Sequence, residues 1–292
     1  MKVNLFVVGF PKAGTTTIYN MLQRSSKVSA SRIKEPNYFI PNKVLEQIPL
    51  KRRRYLIAMG KPGRSSHLAL VENDQEYHNL FNQGYLGSKY YMEASSAYCM
   101  YKETLNSIYS YNNKAKVICI VRHPVERVLS HYRMDNGHSK KRMSKSLELI
   151  KKDFDSNAKG WMLSNLYIEF SQLRKSVEHL YSVFEPENVL ILNFNDLENQ
   201  NRIKEALSDF LTLDLNIDEN IKKNITQPLR WKILRRYLRY YIGQNTRKKL
   251  KKYFFRRDVE KFEFQDGTTQ WLLQTLDEEI KFYKTLFPDA AG

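Results

Sequence analysis

The residues with chemistry in them begin at GFPKAGTT, positions 9–16, where Gly9 and Gly14 enclose four residues and a helical pattern follows. A strand–turn–helix of this kind points loop amides and the positive end of a helix at one anion. Gly14 allows the backbone to close tightly, and Thr15 and Thr16 add hydroxyl donors. In a nucleoside-triphosphate loop, lysine directly follows the second glycine and the next Ser or Thr holds magnesium. Here Thr15 stands in the lysine position, and the only cation is Lys12, two residues before Gly14. That placement suits a single phosphate and its outer substituent. A glycine turn before a helix is also an ordinary structural device, so the loop alone does not decide between the two readings.

A second candidate lies in KVICIVRHPVERVLSHY, residues 116–132. Arg122 follows an apolar strand pattern, at the carboxyl end where open α/β sheets bind ligands. Ser130 comes eight residues later, about two helical turns on, hence on nearly the same side. An arginine fork with a hydroxyl suits a second, separate phosphate. An arginine at a strand end has a structural reading as well.

The elements that must position these groups follow from periodicity. Apolar, β-branched runs at 3–8, 89–94, 116–121 and 188–194 read as strands. Helical patterns occupy 15–24, with Thr15 as its cap, then 97–111, 125–134, 161–184 and 203–211. Strands alternating with helices predict an α/β fold, a P-loop-like core with a mainly parallel sheet flanked by helices. No composition break divides the chain. It reads as one domain, 1–292, with a variable insertion at 41–88 and a basic helical part at 216–292.

A hydrophobic content of 42% excludes a disordered chain. Cys99 and Cys119 are the only cysteines, which excludes a disulfide scaffold or a thiolate zinc site; Cys119, inside VICIV, reads as a buried thiol. MKVNLFVVGF lacks the length and cleavage site of a signal peptide, and no run is long enough to span a membrane, which points to the cytoplasm. The net charge of +17 is concentrated: residues 221–257 hold 14 Lys or Arg and no Asp or Glu. Within it, Trp231, Leu234, Leu238 and Tyr241 recur at helical spacing. Two readings stay open there: a packed helix with its arginines in water, or a platform for an anionic glycan or membrane surface. No nucleic-acid module is visible.

Taken together, GFPKAGTT and VRHPVERVLSHY resemble the sulfotransferases that use 3′-phosphoadenosine 5′-phosphosulfate (PAPS). The likeness continues through KEPNYF (34–39), YMEASSAY (91–98), SNLY (164–167), NVLILNFNDL (188–197) and FLTL (210–213), and KEPNYF places it nearer the bacterial and carbohydrate-type branches. The resemblance implies that Lys12, Ala13, Gly14, Thr15, Thr16 and Thr17 hold the 5′-phosphosulfate, with Lys12 against the transferring group. It implies that Arg122 and Ser130 take the 3′-phosphate, that Tyr167 lies near the adenine, and that no metal is required. Glu35 matches a glutamate that serves such enzymes as the base, and it reads equally as a salt bridge with Lys34 or Arg32. His67 and His78, in the insertion, are weaker candidates for a base, and His123 serves its turn. Glu93 is expected to touch substrate or orient Lys12. Ala94 stands where relatives often carry a lysine. Arg127 is expected to pair with an acidic side chain, with reinforcement of the phosphate site as the alternative, and Asp196 to be structural. A late basic loop over the 3′-phosphate is sought at 248–257. The implied acceptor is a hydroxyl, on a glycan or glycolipid. The rivals are a P-loop nucleotide kinase, which Thr15 argues against, and a non-catalytic polyanion-binding module.

Overall fold

The computed structural model describes residues 2–64, 66–81, 87–215 and 263–288. The basic stretch 221–257, with Trp231 and its neighbours and the 248–257 loop, lies outside the described residues. Five parallel strands form one sheet: β1 (Leu5–Gly9), β2 (Val28–Ala30), β3 (Tyr90–Ala94), β4 (Lys116–Val121) and β5 (Val189–Asn193). Their spatial order is β2-β3-β1-β4-β5. β1 is therefore central, paired with β3 on one side and β4 on the other; the chain runs from β1 to β2 at the edge, back to β3, and then across β1 to β4. The carboxyl ends of β1 and β4 form the switch point where such sheets open a crevice.

Composition explains this centre. LFVVG of β1 is wholly buried and KVICIV of β4 nearly so, as strands covered on both faces must be. Helices α1 (Thr15–Leu22), α2 (Asn42–Leu45), α3 (Leu50–Gly60), α4 (Asp74–His78), α5 (Lys102–Tyr111), α6 (Pro124–Asn136), α7 (Lys140–Met143), α8 (Ser146–Phe154), α9 (Leu173–Val183), α10 (Gln200–Leu211), α11 (Thr268–Thr275) and α12 (Asp277–Leu286) surround the sheet. α6 begins with Pro124 in its first turn, where a missing amide hydrogen costs nothing. Both cysteines are free and buried. Among the described residues, no helix is long and apolar enough to cross a membrane.

Three expectations are corrected. β2 was not anticipated: it is three residues long and carries no periodic signal of its own. The 161–184 pattern is not one helix. Met162 and Leu166 have φ of 63° and 54°, which no α-helix accommodates, and only Leu173–Val183 is helical after a short 3₁₀ turn. The Asp153 carboxylate accepts from the amides of Asn165 and Tyr167 at 3.0 and 3.2 Å and holds that segment open. The pattern over 97–111 likewise becomes a helix only from Lys102.

Glu93 also departs from its expected place, because it touches neither substrate space nor Lys12. It is fully buried in β3, where it accepts from Tyr77 Oη at 2.6 Å and Ser95 Oγ at 2.7 Å. Burial raises its pKa from the ordinary 4.5 to about 7, although the Tyr77, Tyr98 and Ser95 hydroxyls oppose the shift. The folded state thus holds a proton that the unfolded chain releases. Its contribution is complete below pH 4.5 and is lost as pH rises through about 7, a loss of about 3 kcal/mol at most. Glu93→Gln is expected to flatten that part of the urea-unfolding stability profile between pH 4.5 and 7. A variant that keeps the full decline would reject the assignment.

Candidate active site

A cleft of about 1030 Å³ opens at the carboxyl ends of β1 and β4. Lys12, Gly14, Thr15, Thr16, Thr17, Glu35, Arg122 and Ser130 all line it. The glycine turn and the Arg122 segment, 110 residues apart in sequence, thus meet in one space.

The turn's shape explains its residues. Gly14 has φ of 100°, so glycine is required by conformation, and a Cβ there would lie 2.3 Å from Leu197 Cδ1, which would have to move. Thr15 is the first helical residue and does not cap α1; Gly14 occupies the cap position without a side-chain bond. The Thr15 hydroxyl instead accepts from Lys34 Nζ at 3.3 Å. Thr17 N donates to Gly14 O at 2.8 Å, while the amides of Thr15 and Thr16 come before any intrahelical acceptor and can meet an anion. Lys12 itself has φ of 70°, a left-handed conformation that costs a side-chain-bearing residue about 1 kcal/mol or more and is found where function demands it.

Charge accumulates around the turn. Lys12 Nζ lies 3.4 Å from Met134 Sδ. Its pKa is lowered, first by burial and next by Arg122, with Asp135 acting in the opposite direction. Arg122 stacks on Phe194, its guanidinium carbon 4.1 Å from the ring centroid, and donates from Nη1 to Lys12 O at 3.4 Å. Among the described residues its carboxylate partner is Glu126, half exposed, at 3.3 Å. Arg127 is fully buried and, contrary to expectation, its hydrogen bonds go to no carboxylate: it donates to Ser171 Oγ at 2.5 Å and to Tyr167 O. Those neutral acceptors fix the backbone of α6 to the 167–171 segment.

On the far wall, Glu35 Oε1 accepts from Lys34 Nζ at 2.7 Å and from Ser96 Oγ at 3.2 Å, and lies 3.7 Å from His67 Nε2. The salt bridge with Lys34 and the position on the cleft wall are both realised. His67 reaches the cleft because its segment pairs with residue 35: Glu35 N donates to His67 O at 3.0 Å, and Ala69 N to Glu35 O at 2.9 Å. His78 bonds Tyr111 Oη and does not line the cleft. His123 packs edge-on against Tyr283 at the start of α6, and Asp196 pairs with Arg202.

Two implied residues do not line the cleft. Ala13 is buried, and so is Tyr167, whose hydroxyl donates to Asp135 Oδ2 at 3.0 Å. Tyr167 therefore acts on the cleft through Asp135, which does line it. The sequence reading missed Lys34, His131, Asp135, Phe194, Leu197 and Trp161. For Asp135 a signal existed, since it lies on the same helix five residues after Ser130. His131 is held neutral: burial, then the charges of Arg127 and Lys12, push its pKa far down. Arg127 Nη1 faces its Nδ1 at 3.4 Å, which leaves the Nε2 proton toward Asp135, 3.7 Å away.

Comparison with known proteins bears on this arrangement. A sulfotransferase from Alicyclobacillus acidocaldarius superposes with a TM-score of 0.58 at 17% identity, covering 96% of each chain. The sulfotransferase domain from the curacin biosynthetic pathway gives 0.45 at 16% identity, covering 95% of this chain and 98% of the domain. Mouse sulfotransferase SULT7A1, whose crystal structure is complexed with PAP, gives 0.41 at 15% identity over 74% of this chain and 61% of its own. No curated protein matches by sequence. The first of these shows the shared α/β fold. A family profile described as the sulfotransferase family matches residues 4–216, a span that contains the glycine turn, Glu35, the Arg122 helix and β5. The chain belongs to the sulfotransferase family.

Proposed function

We propose that the protein moves a sulfuryl group from PAPS to a hydroxyl of a glycan or glycolipid, releasing adenosine 3′,5′-bisphosphate. The observation that carries this reading is the meeting of Lys12 and Arg122 in one cleft, guanidinium against loop carbonyl at 3.4 Å. Two crowded cations, with Glu126 beside one and Asp135 beside the other, suit an anion with two phosphate ends. The left-handed turn at Gly14, which side chains rarely adopt, suits a phosphate held against backbone amides.

On this reading the first-turn amides of α1, with Gly14, Thr15, Thr16 and Thr17, hold the 5′-phosphate. Arg122 and Ser130 hold the 3′-phosphate. Bound PAPS supplies the sulfuryl group, whose bond to the 5′-phosphate oxygen breaks with its electron pair left on that oxygen. Lys12 sits beside that oxygen and stabilises the charge as it grows, which lowers the barrier more than it strengthens binding. Glu35 takes the proton as the acceptor oxygen bonds to sulfur. Trp161 and Asp135 also line the cleft and supply apolar surface and a hydrogen-bond acceptor for the acceptor molecule.

Calorimetry tests the donor reading against a kinase. Adenosine 3′,5′-bisphosphate is expected to bind at least tenfold more tightly than ATP in the absence of magnesium. A preference for magnesium-ATP would reject it. In transfer assays, Lys12→Ala is expected to lower kcat by about 10²–10³-fold with a small change in bisphosphate affinity. Glu35→Gln is expected to lower kcat by about 10²–10⁴-fold. Full turnover by Glu35→Gln would remove the base and leave the donor site standing; full turnover by Lys12→Ala would remove the mechanism.

A further inference from the structure

We propose that Lys34 is the second cation of the transfer step, a positioning residue lodged between the donor loop and the carboxylate that takes the proton. The inference rests on the reading of Glu35 given above. Lys34 is only 4% exposed and is not itself part of the cleft wall, yet its two contacts are. Nζ lies 2.7 Å from Glu35 Oε1 and 3.3 Å from Thr15 Oγ1. Glu35 belongs to the acceptor side and Thr15 to the phosphate loop, so a single ammonium touches both halves of the site.

The backbone around Lys34 has little freedom. Glu35 is tied to the 67–69 segment through both its amide and its carbonyl, and Asn37 Nδ2 donates to Glu35 O at 2.8 Å and Ala69 O at 3.0 Å. The other titratable group facing this pair is His67, across Glu35. Burial and then the charge of Lys34 lower its pKa below 6.5, so the neutral ring brings no second cation to Glu35.

A buried ammonium is tolerated when a counter-charge is close, and removing that charge is costly. Glu35 is the carboxylate bonded to Lys34, and the proposed reaction neutralises it. The acceptor O–H bond breaks and its proton goes to Glu35. An O–S bond forms, the S–O bond to the 5′-phosphate breaks, and that electron pair stays on the phosphate oxygen. One negative charge thus disappears on the Glu35 side of Lys34 while another appears on the Thr15 side. The ammonium keeps its proton and its place, and its attraction passes from one partner to the other. A fixed charge already aimed at both ends of the transfer requires no reorganisation as the reaction proceeds.

The test compares Lys34→Met, Lys34→Arg, Glu35→Gln and the double variant Lys34→Met with Glu35→Gln, using adenosine 3′,5′-bisphosphate as the probe in calorimetry. The double variant removes both buried charges, so it leaves no unpaired carboxylate if Lys34→Met alone fails to fold. It is expected to bind the bisphosphate at least tenfold more weakly than Glu35→Gln does. Lys34→Arg is expected to recover most of that affinity. In turnover, Lys34→Met is expected to lower kcat more than tenfold with KM for the acceptor changed little. A lysine that merely held the fold would lower the melting temperature and leave bisphosphate affinity unmoved. Equal affinity in the double variant and Glu35→Gln therefore overturns the proposal. Glu35→Gln with full turnover overturns the base assignment instead, whatever Lys34 does.

Discussion

Positive charge held together at the carboxyl ends of β1 and β4 is the constraint around which the site is built. Lys12, Arg122 and Arg127 each disfavour the charge on the others: Arg122 lowers the pKa of Lys12, and after burial it is the largest influence on Arg127. Such a cluster persists because the fold confines it. Arg122 is pinned between the Phe194 ring and the Lys12 carbonyl, and Arg127 is locked by Ser171 and Tyr167. Lys12 is held at a left-handed φ by the turn that Gly14 closes. On the function proposed above, a bound anionic donor offsets that crowding.

The second constraint is a buried polar frame under the opposite wall. Glu93 accepts from Ser95, whose hydroxyl also accepts from Asn37 N at 3.2 Å. Tyr98, hydrogen-bonded to the same carboxyl, accepts from Phe39 N at 3.1 Å. Asn37 stands at φ of 54° and donates to the carbonyl of Glu35. The turn carrying Lys34 and Glu35 is thus bolted to the end of β3 by hydrogen bonds made within the core. Buried hydrogen bonds of this kind rigidify what they touch, although Asn37 Oδ1 itself has no partner among the described residues. This is why Glu93, too deep to meet a substrate, still belongs to the account of the site.

How much of this was legible in the sequence depended on whether the determining contacts are local. β1, β4, α6 and the glycine turn are written in short runs whose periodicity and glycine placement act over a few residues. The segment 161–184 carries a helical pattern but is bent by Asp153 and Arg127, partners outside it, so tertiary contacts override the local preference. Lys34 is the clearest case. In KEPNYF it looks like a surface cation beside an acid, and only the packing of the turn against Thr15, 19 residues earlier, turns it into a buried one. Glu93 misled for the same reason: a carboxylate at a strand end reads as functional until Tyr77, from the insertion, is seen to cover it.

The displaced lysine also has a structural cause. In a triphosphate loop, a lysine after the second glycine rides on the first turn of the helix and lies along a chain of phosphates. Here that first turn carries threonines, and the site's two ammonium groups come from outside it, Lys12 from the turn before Gly14 and Lys34 from beyond β2. They approach the same small space from different elements, one lining the cleft and one behind Thr15. On the function proposed above, the two charges moved off the helix serve a single phosphate and the group it carries, and favour breaking the bond between them over gripping a longer chain.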